Sequence, residues 1–367
     1  MENTLIFGLG GIGAVFGLLL QRSKRTTLST VARSNFGVVQ KDGIKVQSTQ
    51  IDGGGTVTFD RVYPANAHQQ ARNARASGSS AIPFSYVVVA TKLVADTKPS
   101  LVESLEPFIA PGKSTIVLIQ NGVGIEDEIQ ARWPGNLVLT SIAFFPATQT
   151  EPGLVVHPGG LFFRCGPFHS NGSPECSPRE KERIDTFMEM CRIGGCETET
   201  EYNHVYMQAQ RWTKIAWNAS WNSVTTLADL DSAAYLAASS SSEALARRIM
   251  REVVLVARGL GVEIDPLEPG VLNPEEAKRV AKALGCTERL DDMLVNRLKN
   301  FQNINTSTRT DVLEGRALEY EVIWGNPLKH AKRLGIEVPV FETVAILLEA
   351  IDARNRGKVK VMIRAKI

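Results

Sequence analysis

Thr4-Leu-Ile-Phe-Gly-Leu-Gly-Gly-Ile-Gly-Ala-Val-Phe-Gly-Leu-Leu-Leu-Gln21 is the stretch that decides the fold, because an apolar run meets a burst of glycines and then continues as helix-like sequence. Leu5-Ile6-Phe7 predicts a buried strand, and Ala14–Leu20 predicts a buried helix. The run lacks a basic leader, is rich in glycine and is too short to cross a bilayer, which argues against a signal peptide or membrane span. We therefore expect a strand–turn–helix unit that opens an α/β domain.

The glycines of this turn follow the spacing G-x-G-x-x-G, with Gly8, Gly10 and Gly13 in the three positions. In dinucleotide-binding folds the first glycine permits a tight turn, the second lets the backbone approach the pyrophosphate, and the third lets the helix pack on the strand. The helix N-terminus also offers free N–H groups to phosphates. The predicted cofactor-binding loop consists of Gly8, Leu9, Gly10, Gly11, Ile12 and Gly13.

The composition is that of an ordinary globular chain, with 43% hydrophobic and 22% charged residues in 367 residues, a length that suits two domains. Lys and Arg number 41 against 39 Asp and Glu, so no basic excess points to nucleic acid or an anionic membrane as a partner. The five cysteines are odd in number and form no C-x-x-C pair, and the five histidines are scattered singly. We expect neither a disulfide framework nor a metal site.

The second predicted strand, Thr26–Val31, ends at Ala32-Arg33-Ser34, where dinucleotide folds read the adenosine ribose. An NAD site places a carboxylate there to hold the 2′-hydroxyl, whereas no acidic residue occurs between Glu2 and Asp42. Arg33 is suited to a 2′-phosphate because a guanidinium donates two parallel hydrogen bonds to it. The sequence therefore favours NADPH as cofactor.

Two further predicted strands, Tyr86–Ala90 and Thr115–Ile119, end in polar residues. Ligands of open α/β sheets bind at the carboxyl ends of the strands. Lys92 is thus a candidate for cofactor or substrate charge, and Asn121 for the nicotinamide-side ribose or the reacting group. A solvated loop lysine is the simpler alternative for Lys92.

The strand signals continue to about residue 201 and then give way to helical periodicity. Strands broken by Gly and Pro in Leu137–Phe168 predict hairpins that extend the sheet, and Arg179–Cys191 predicts an amphipathic helix. We expect a Rossmann-like domain at residues 1–201, with a polar insertion at 66–83, and an all-helical domain at 202–367. The helices predicted in the second domain are Val205–Asp229, Ser232–Gly259, Pro274–Leu284, Leu290–Phe301, Asp311–Leu334 and Val340–Arg356.

The first helix of the second domain carries the most informative polar pattern, Lys214-x-x-x-Asn218-x-x-x-Asn222. Residues four apart share a helix face, so these three side chains form one stripe. The remainder of the helix is apolar enough to be buried, and buried amides and cations cost free energy unless they have partners. The stripe therefore predicts a functional site, and a solvent-facing stripe is the alternative.

Taken together in their order and spacing, these motifs resemble the ketopantoate reductase (2-dehydropantoate 2-reductase) family over nearly the whole chain. The resemblance implies a Rossmann domain followed by an all-α domain of the 6-phosphogluconate-dehydrogenase C-terminal type. It also implies NADPH-dependent reduction of ketopantoate to (R)-pantoate, a step toward pantothenate and coenzyme A. The motifs are the glycine fingerprint, Arg33, Ala90-Thr91-Lys92, Gln120-Asn121-Gly122, the Lys214 stripe and Ser307-x-x-x-Asp311.

By position in these motifs, the resemblance implies that Lys214 is the general acid and that Asn218 and Asn222 hold the substrate. Ser307 would bind substrate as well, and Glu319, on the helix predicted from Asp311, would provide a carboxylate facing the lysine. Lys92 and Asn121 would bind at the nicotinamide end of the cofactor. Two features depart from the family pattern: Thr308 stands where the family commonly has Met, and Trp217 and Trp221 are bulky for their helix. These departures bear on which substrate is bound more than on the type of reaction.

Burial lowers the pKa of a lysine and a nearby carboxylate raises it, and the sequence leaves this balance at Lys214 open.

Three alternative functions remain: a related 2-oxoacid reductase such as a ketoisovalerate reductase, a β-hydroxyacid dehydrogenase, and a non-catalytic NADP-binding sensor. The second fits less well because Lys214-Ile-Ala-Trp217 lacks the Lys-x-x-Asn pattern of those enzymes. The expected partner is a small 2-oxoacid, and a homodimer is left open. We expect a cytoplasmic protein, with a peroxisomal or mitochondrial location as the alternative, since Ala365-Lys366-Ile367 only distantly matches a peroxisomal ending.

Overall fold

The computed structural model describes residues 1–66, 84–264 and 305–359. The chain divides into two compact units, the first comprising Met1–Gln120 and Gly124–Met207 and the second comprising Asn121–Val123 and Gln208–Ile367. The predicted helices Pro274–Leu284 and Leu290–Phe301 lie outside the described residues, as does all of the predicted insertion 66–83 except Asn66. No helix in the described ranges has the length and apolar character needed to cross a bilayer.

The first unit is an α/β domain. Its strands are, in chain order, β1 (Glu2–Phe7), β2 (Thr26–Ala32), β3 (Ile44–Ser48), β4 (Gly55–Val57), β5 (Arg61–Pro64), β6 (Tyr86–Val89), β7 (Thr115–Leu118), β8 (Val138–Phe144), β9 (Thr148–Glu151), β10 (Leu154–His157), β11 (Phe162–Phe168) and β12 (Glu197–Thr200). Its helices are α1 (Gly11–Ser23), α2 (Phe36–Asp42), α3 (Leu101–Leu105), α4 (Glu126–Arg132) and α5 (Pro178–Ile193).

Among the described residues, eight strands form the main sheet in the order β12-β11-β8-β7-β6-β1-β2-β5. Neighbours from β5 to β8 are parallel, β11 is antiparallel to β8, and β12 is parallel to β11. All four residues of Tyr86–Val89 are 0% exposed, the continuous burial expected of a parallel strand covered on both faces. The predicted Rossmann-type class is confirmed, and the first strand–turn–helix unit forms where the glycine-rich stretch predicted it.

A second sheet of four strands, in the order β4-β3-β10-β9, was not expected from the sequence. The prediction that the hairpins after Leu137 all extend the main sheet is wrong for β9 and β10. These two strands pair with each other, and β10 pairs in parallel with β3, which lies more than 100 residues earlier in the chain. Alternation of apolar residues identifies a strand, but it carries no information about a pairing partner so far away in sequence. The prediction holds for β11, which does extend the main sheet.

Helix α1 is apolar on all sides because several elements cover it. It contacts β1 and β2 of the main sheet, all four strands of the second sheet, and α5. A Cβ atom on Gly17 would lie 3.3 Å from Ile6 of β1 and 3.2 Å from Val57 of β4, so strands of both sheets approach α1 at this glycine. Residues Ala14, Val15, Phe16 and Leu19 are 0% exposed, which explains why the helix has no polar face.

The second unit is helical in its described part. The elements are α6 (His204–Trp217), whose first turn belongs to the first unit, a π-helical segment (Asn218–Asn222), α7 (Ser223–Ala228), α8 (Ser232–Ala238), α9 (Ser242–Gly259), α10 (Ser307–Leu313), a second π-helical segment (Glu321–Gly325), α11 (Asn326–Leu334) and α12 (Pro339–Asn355). The predicted all-α second domain is confirmed for these residues. The predicted helix Val340–Arg356 corresponds closely to α12.

Two predicted helices of this unit are interrupted. The predicted Ser232–Gly259 is two helices, α8 and α9, because Ser239 adopts an extended conformation with φ −154° and ψ 145°. Serine is a weak helix former since its hydroxyl competes for backbone hydrogen bonds, and four serines occupy residues 239–242.

The predicted Asp311–Leu334 is interrupted as well, so the expectation that Glu319 lies within a helix starting near Asp311 is wrong. Helix α10 ends at Leu313, and Gly315 follows with φ +66°, a left-handed conformation that favours glycine at a helix end. Glu319 lies in the connection that follows, just before the second π-helical segment. Its backbone carbonyl accepts a hydrogen bond from Ile323 N at 3.3 Å and so joins the next helix.

Candidate functional site

The glycine-rich loop of the first unit ends at the N-terminus of α1. Gly10 is the N-cap residue and makes no side-chain capping bond, and its carbonyl accepts the first helical hydrogen bond from Ala14 N at 2.9 Å. The N–H groups of Gly11, Ile12 and Gly13 belong to the first turn, where a helix has no acceptor of its own for them. The loop therefore presents donors and the positive end of a helix dipole, which together favour a phosphate group.

Two of the three fingerprint glycines are required by close packing. Gly8 has φ +103°, and a Cβ atom on it would lie 2.5 Å from Cγ2 of Thr91. A Cβ atom on Gly13 would lie 2.1 Å from the carbonyl oxygen of Gly8. Gly10 differs, because no atom lies within 4 Å of the position that its Cβ would take. The open space beside Gly10 fits a diphosphate that approaches the backbone, so this loop is suited to a dinucleotide.

Two buried amide side chains hold this part of the first unit, and the sequence analysis assigned a role to neither, although it quoted Gln120 within the motif Gln120-Asn121-Gly122. Asn35, 4% exposed, donates from Nδ2 to the carbonyl of Leu9 at 2.9 Å. Gln120, 5% exposed, donates from Nε2 to the carbonyl of Thr91 at 2.8 Å. A buried amide must find hydrogen-bond partners, and both side chains find them in backbone that flanks the loop. Their position just after a strand end was the only available signal.

Arg33 and Lys92 lie at the same edge of the main sheet as the glycine loop. Strands β2 and β6 flank β1 in parallel register, so their carboxyl ends meet beside the end of β1. Arg33 follows β2, Lys92 follows β6, and both residues are exposed. Arg33 is thus exposed at this edge of the sheet, and its role in binding an anionic group stays a prediction.

The polar stripe of the second unit is buried, which removes the solvent-facing alternative. Asn218 is 6% exposed and Asn222 is 1% exposed, while Lys214 is half-buried. The stripe runs from α6 into the π-helical segment Asn218–Asn222. Ser223 directly follows that segment, and its Oγ accepts a hydrogen bond from Nε1 of the buried Trp324 at 2.9 Å. Single π-helical turns inside α-helices occur frequently at functional sites.

The surroundings of Lys214 determine its pKa, which the sequence alone did not. Burial first and the neighbouring Arg211 guanidinium second lower the pKa of Lys214 to about 7, although the Glu319 carboxylate opposes both effects. Desolvation therefore outweighs the carboxylate. The result is an amine that is a cation in part and neutral in part near pH 7, as suits a group that donates a proton in catalysis.

The tripeptide Asn121–Val123 is joined to this cluster within the second unit. Asn121 Nδ2 donates to Oε2 of Glu319 at 3.3 Å, and the 3% exposed Arg211 donates to the carbonyl of Gly122 at 2.7 Å. Val123 N donates to the carbonyl of Val322 at 3.0 Å. Asn121, Lys214 and Glu319, predicted separately from three distant motifs, thus belong to one cluster, together with Arg211, which the sequence reasoning did not single out.

Asn222 is held by Thr308 rather than by Ser307. Its Nδ2 donates to Oγ1 of Thr308 at 3.1 Å, while Ser307 is an exposed residue at the start of α10. The Oδ1 atom of Asn222 is buried and has no hydrogen-bond partner among the described residues. An unsatisfied buried amide oxygen is unusual and is consistent with a bound donor such as a substrate hydroxyl or a water molecule. The role of Ser307 remains a prediction.

Each unit by itself offers some of the groups that a carbonyl reduction requires. The first unit presents a glycine-rich loop at a helix N-terminus, with a basic side chain at the same edge of the sheet, and the second presents a lysine with a pKa of about 7, a carboxylate and buried amides. An ammonium group stabilises the negative charge that develops on a carbonyl oxygen during hydride transfer and can donate the proton.

Comparisons with known proteins identify relatives of the whole chain. The model of the family "Ketopantoate reductase PanE/ApbA" matches residues 4–170, and the model of its C-terminal domain matches residues 206–352. The chain is 24% identical over 352 residues to a 2-dehydropantoate 2-reductase of Nostoc sp., covering 96% of this chain and 95% of that protein. It is 25% identical over 378 residues to an uncharacterized protein of Saccharomyces cerevisiae, covering 98% and 96% of the two chains.

The fold of the chain is also similar to that of a solved 2-dehydropantoate 2-reductase structure. The crystal structure of 2-dehydropantoate 2-reductase from Methylococcus capsulatus superposes with a TM-score of 0.73 and 25% sequence identity, and it covers 96% of this chain and 97% of that chain.

The glycine geometry leads to a test with a matched pair of variants. Gly8→Ala forces a side chain into a left-handed conformation and against Thr91, so we expect it to lower the free energy of unfolding by about 1–3 kcal/mol or more. Gly10 has φ −90° and open space beside it, so we expect Gly10→Ala to cost only the N-cap preference of glycine, about 1 kcal/mol or less, but to weaken dinucleotide binding. Denaturant unfolding and NADPH fluorescence titration measure the two effects. Equal destabilisation by both variants, or unchanged binding in Gly10→Ala, would contradict this interpretation.

Proposed function

This chain belongs to the ketopantoate reductase family, an oxidoreductase family, and we propose that it catalyses the NADPH-dependent reduction of 2-dehydropantoate to (R)-pantoate. The reaction is a step toward pantothenate and coenzyme A. The observation that carries the proposal is the half-buried Lys214, whose pKa is lowered to about 7, in one cluster with Glu319 and Asn121. A related 2-oxoacid reductase, such as one acting on ketoisovalerate, is the alternative in the same family.

The cofactor proposal rests on the glycine loop and on Arg33. The backbone of residues 8–13 would hold the diphosphate, because α1 presents its N-terminus there and the space beside Gly10 is open. Arg33 would bind the 2′-phosphate that distinguishes NADPH from NADH. Lys92 and Asn121 would bind near the nicotinamide end. When bound, NADPH supplies the hydride.

The proton would come from Lys214. As hydride reaches the 2-oxo carbon, the oxygen becomes an alkoxide, and the Lys214 ammonium donates an N–H to it and then transfers the proton. The lowered pKa makes this transfer easier than from an ordinary lysine, since an ammonium group with a lower pKa is a stronger acid. Glu319 opposes the lowering and so keeps part of the lysine charged near pH 7.

Substrate orientation would fall to the amides and the carboxylate. Asn222 has a buried Oδ1 without a partner among the described residues, which supports hydrogen bonding to a substrate hydroxyl, and Asn218 lies one turn before it. Glu319 accepts a bond from Asn121 and, as a carboxylate, has further acceptor positions for the terminal hydroxyl of ketopantoate. Ser307 would contact the substrate as in the family motif.

The role of Lys214 is tested by Lys214→Ala. We expect NADPH binding to persist and kcat to fall on the order of 10²–10⁴-fold, the usual contribution of a positioned general acid. In the wild type, the rate of reduction should decline as pH rises through about 7, because the acid form of Lys214 is lost above its pKa. The surface variant Lys332→Ala, whose side chain is 71% exposed, serves as the control. A kcat near that of the wild type in Lys214→Ala would remove this lysine from the mechanism.

The cofactor preference is tested by charge reversal at Arg33. We expect the wild type to prefer NADPH over NADH by at least about tenfold in kcat/KM, equivalent to about 1.4 kcal/mol, and Arg33→Glu to abolish that preference. The matched control is Arg25→Glu. Arg25 is an exposed arginine that directly precedes the first residue of β2, at the strand end opposite to Arg33, and this variant should retain the preference for NADPH. Equal use of both cofactors by the wild type would show that this site does not read the 2′-phosphate.

The substrate is tested by comparing ketopantoate with ketoisovalerate, which lacks the terminal hydroxyl. A site built around a hydroxyl can reject the analogue without it by up to about 10⁴-fold, because a buried polar group is then left unpaired. We expect the wild type to prefer ketopantoate strongly and Glu319→Ala to lose far more kcat/KM on ketopantoate than on ketoisovalerate, with the exposed Glu337→Ala as control. A wild type that prefers ketoisovalerate would favour the alternative reductase. Equal losses on both substrates would show that Glu319 does not read the hydroxyl.

A further inference from the structure

Three side chains that have no part in the proposed reaction converge at the loop between β11 and α5 in the first unit. His169 directly follows β11, Cys176 lies near the end of the loop, and Glu180 lies in the first turn of α5. One potential ligand atom from each residue lies within 4.8 Å of the other two. All three residues are half-buried. The sequence-based expectation of no metal site rested on the absence of familiar spacings, and this group has a spacing that resembles none of them.

The hydrogen bonds of His169 indicate a cation at this position. Nδ1 lies 2.8 Å from the carbonyl oxygen of Ser173, which can only accept, so Nδ1 carries a proton. Nε2 lies 3.2 Å from Oε1 of Glu180, which is also an acceptor when ionised. A neutral imidazole with its proton on Nδ1 would direct the Nε2 lone pair at the carboxylate. The contact is favourable only if the ring is an imidazolium or if a metal ion lies between Nε2 and Oε1.

The position of the third side chain favours a metal ion over the ion pair that His169 and Glu180 can form by themselves, because the ligand atom of Cys176 lies within 4.8 Å of theirs. An imidazolium–carboxylate pair has no use for a thiol, whereas a divalent metal does. Metal binding replaces the thiol proton and forms a thiolate ligand.

We propose that His169 Nε2, Cys176 Sγ and Glu180 Oε1 bind a zinc ion. Nitrogen, sulfur and oxygen ligands of this kind suit Zn²⁺, while the thiolate disfavours Mg²⁺ and Ca²⁺, which prefer oxygen. Three protein ligands leave the fourth tetrahedral position to water. A cavity of about 370 Å³ is lined in part by His169, Ser177 and Glu180, so two of the three ligand residues border open space.

The surroundings already hold two of the ligands in place. The Ser173 carbonyl fixes the ring orientation and tautomer of His169, as carbonyl acceptors do for metal-binding histidines. Glu180 accepts hydrogen bonds at its other oxygen, Oε2, from Ser177 N at 2.7 Å and Ser177 Oγ at 2.8 Å, which leaves Oε1 for the metal. The backbone N–H of His169 donates to Nδ1 of His204 at 3.1 Å. The ion would therefore fasten the loop to the start of α5 and stabilise the first unit.

The experiment uses the full-length, tag-free protein after treatment with a chelator. Titration with ZnCl₂ should show one equivalent bound with a rise in Tm, and titration with CoCl₂ should produce thiolate-to-cobalt charge-transfer absorption. Cys176→Ser should abolish that absorption. His169→Gln and Glu180→Gln should each weaken zinc binding by about tenfold or more. Removing a group that only supports a metal ligand already costs about that much, and these two residues are ligands themselves. The exposed Glu182→Gln on the same helix is the matched control and should bind as the wild type does.

Glu180→Gln keeps the helix cap, since glutamine serves at that position of a capping box, so its effect is separable from misfolding. Circular dichroism of each chelated variant checks the fold. The proposal is overturned if the wild type binds no zinc, or if the charge-transfer absorption persists in Cys176→Ser, which would assign the thiolate to another cysteine. Both readouts are independent of NADPH oxidation, so failure here leaves the proposed reductase activity untouched.

Discussion

The contact between the first strand and the first helix is the constraint on which the first unit depends. Gly8 and Gly13 meet so closely that a Cβ atom on Gly13 would lie 2.1 Å from the Gly8 carbonyl, and Gly17 lies where strands of both sheets approach the helix. This close approach places the N-terminus of α1 against the carboxyl end of the sheet. The same packing therefore stabilises the fold and forms the candidate phosphate-binding loop, because both need a backbone without side chains at these positions.

In the second unit the corresponding constraint is electrostatic. Burial of a lysine costs free energy in its charged form, and here burial and Arg211 together lower the pKa of Lys214 to about 7 although Glu319 opposes them. The cluster also keeps one amide oxygen, Oδ1 of Asn222, without a partner among the described residues. Unsatisfied and desolvated polar groups destabilise a fold, so their concentration along one stripe is best explained by function.

Much of the fold and of the candidate site followed from the sequence. The strand–glycine–helix unit, the parallel strands that follow it and the buried stripe of Lys214, Asn218 and Asn222 were predictable because their signals are local, either apolar periodicity or a spacing of three to four residues. The second sheet was missed because β10 pairs with β3 across more than 100 residues. The contacts of Asn35, Gln120 and Arg211 were missed for a similar reason, since nothing in their own neighbourhood, not even the motif that contains Gln120, marks a partner distant in sequence.

By itself, therefore, the sequence determined the α/β class, the glycine-rich turn between β1 and α1 and the polar stripe of Lys214, Asn218 and Asn222, since these depend on the chemistry of neighbouring residues. Only the tertiary structure decided that Glu319 lies in a connection rather than in a helix, that Thr308 rather than Ser307 contacts Asn222, and that His169 approaches Cys176 and Glu180. It also decided the balance of charges at Lys214. Desolvation and Coulomb interactions depend on the distances among residues far apart in the chain, and those distances exist only once the chain has folded.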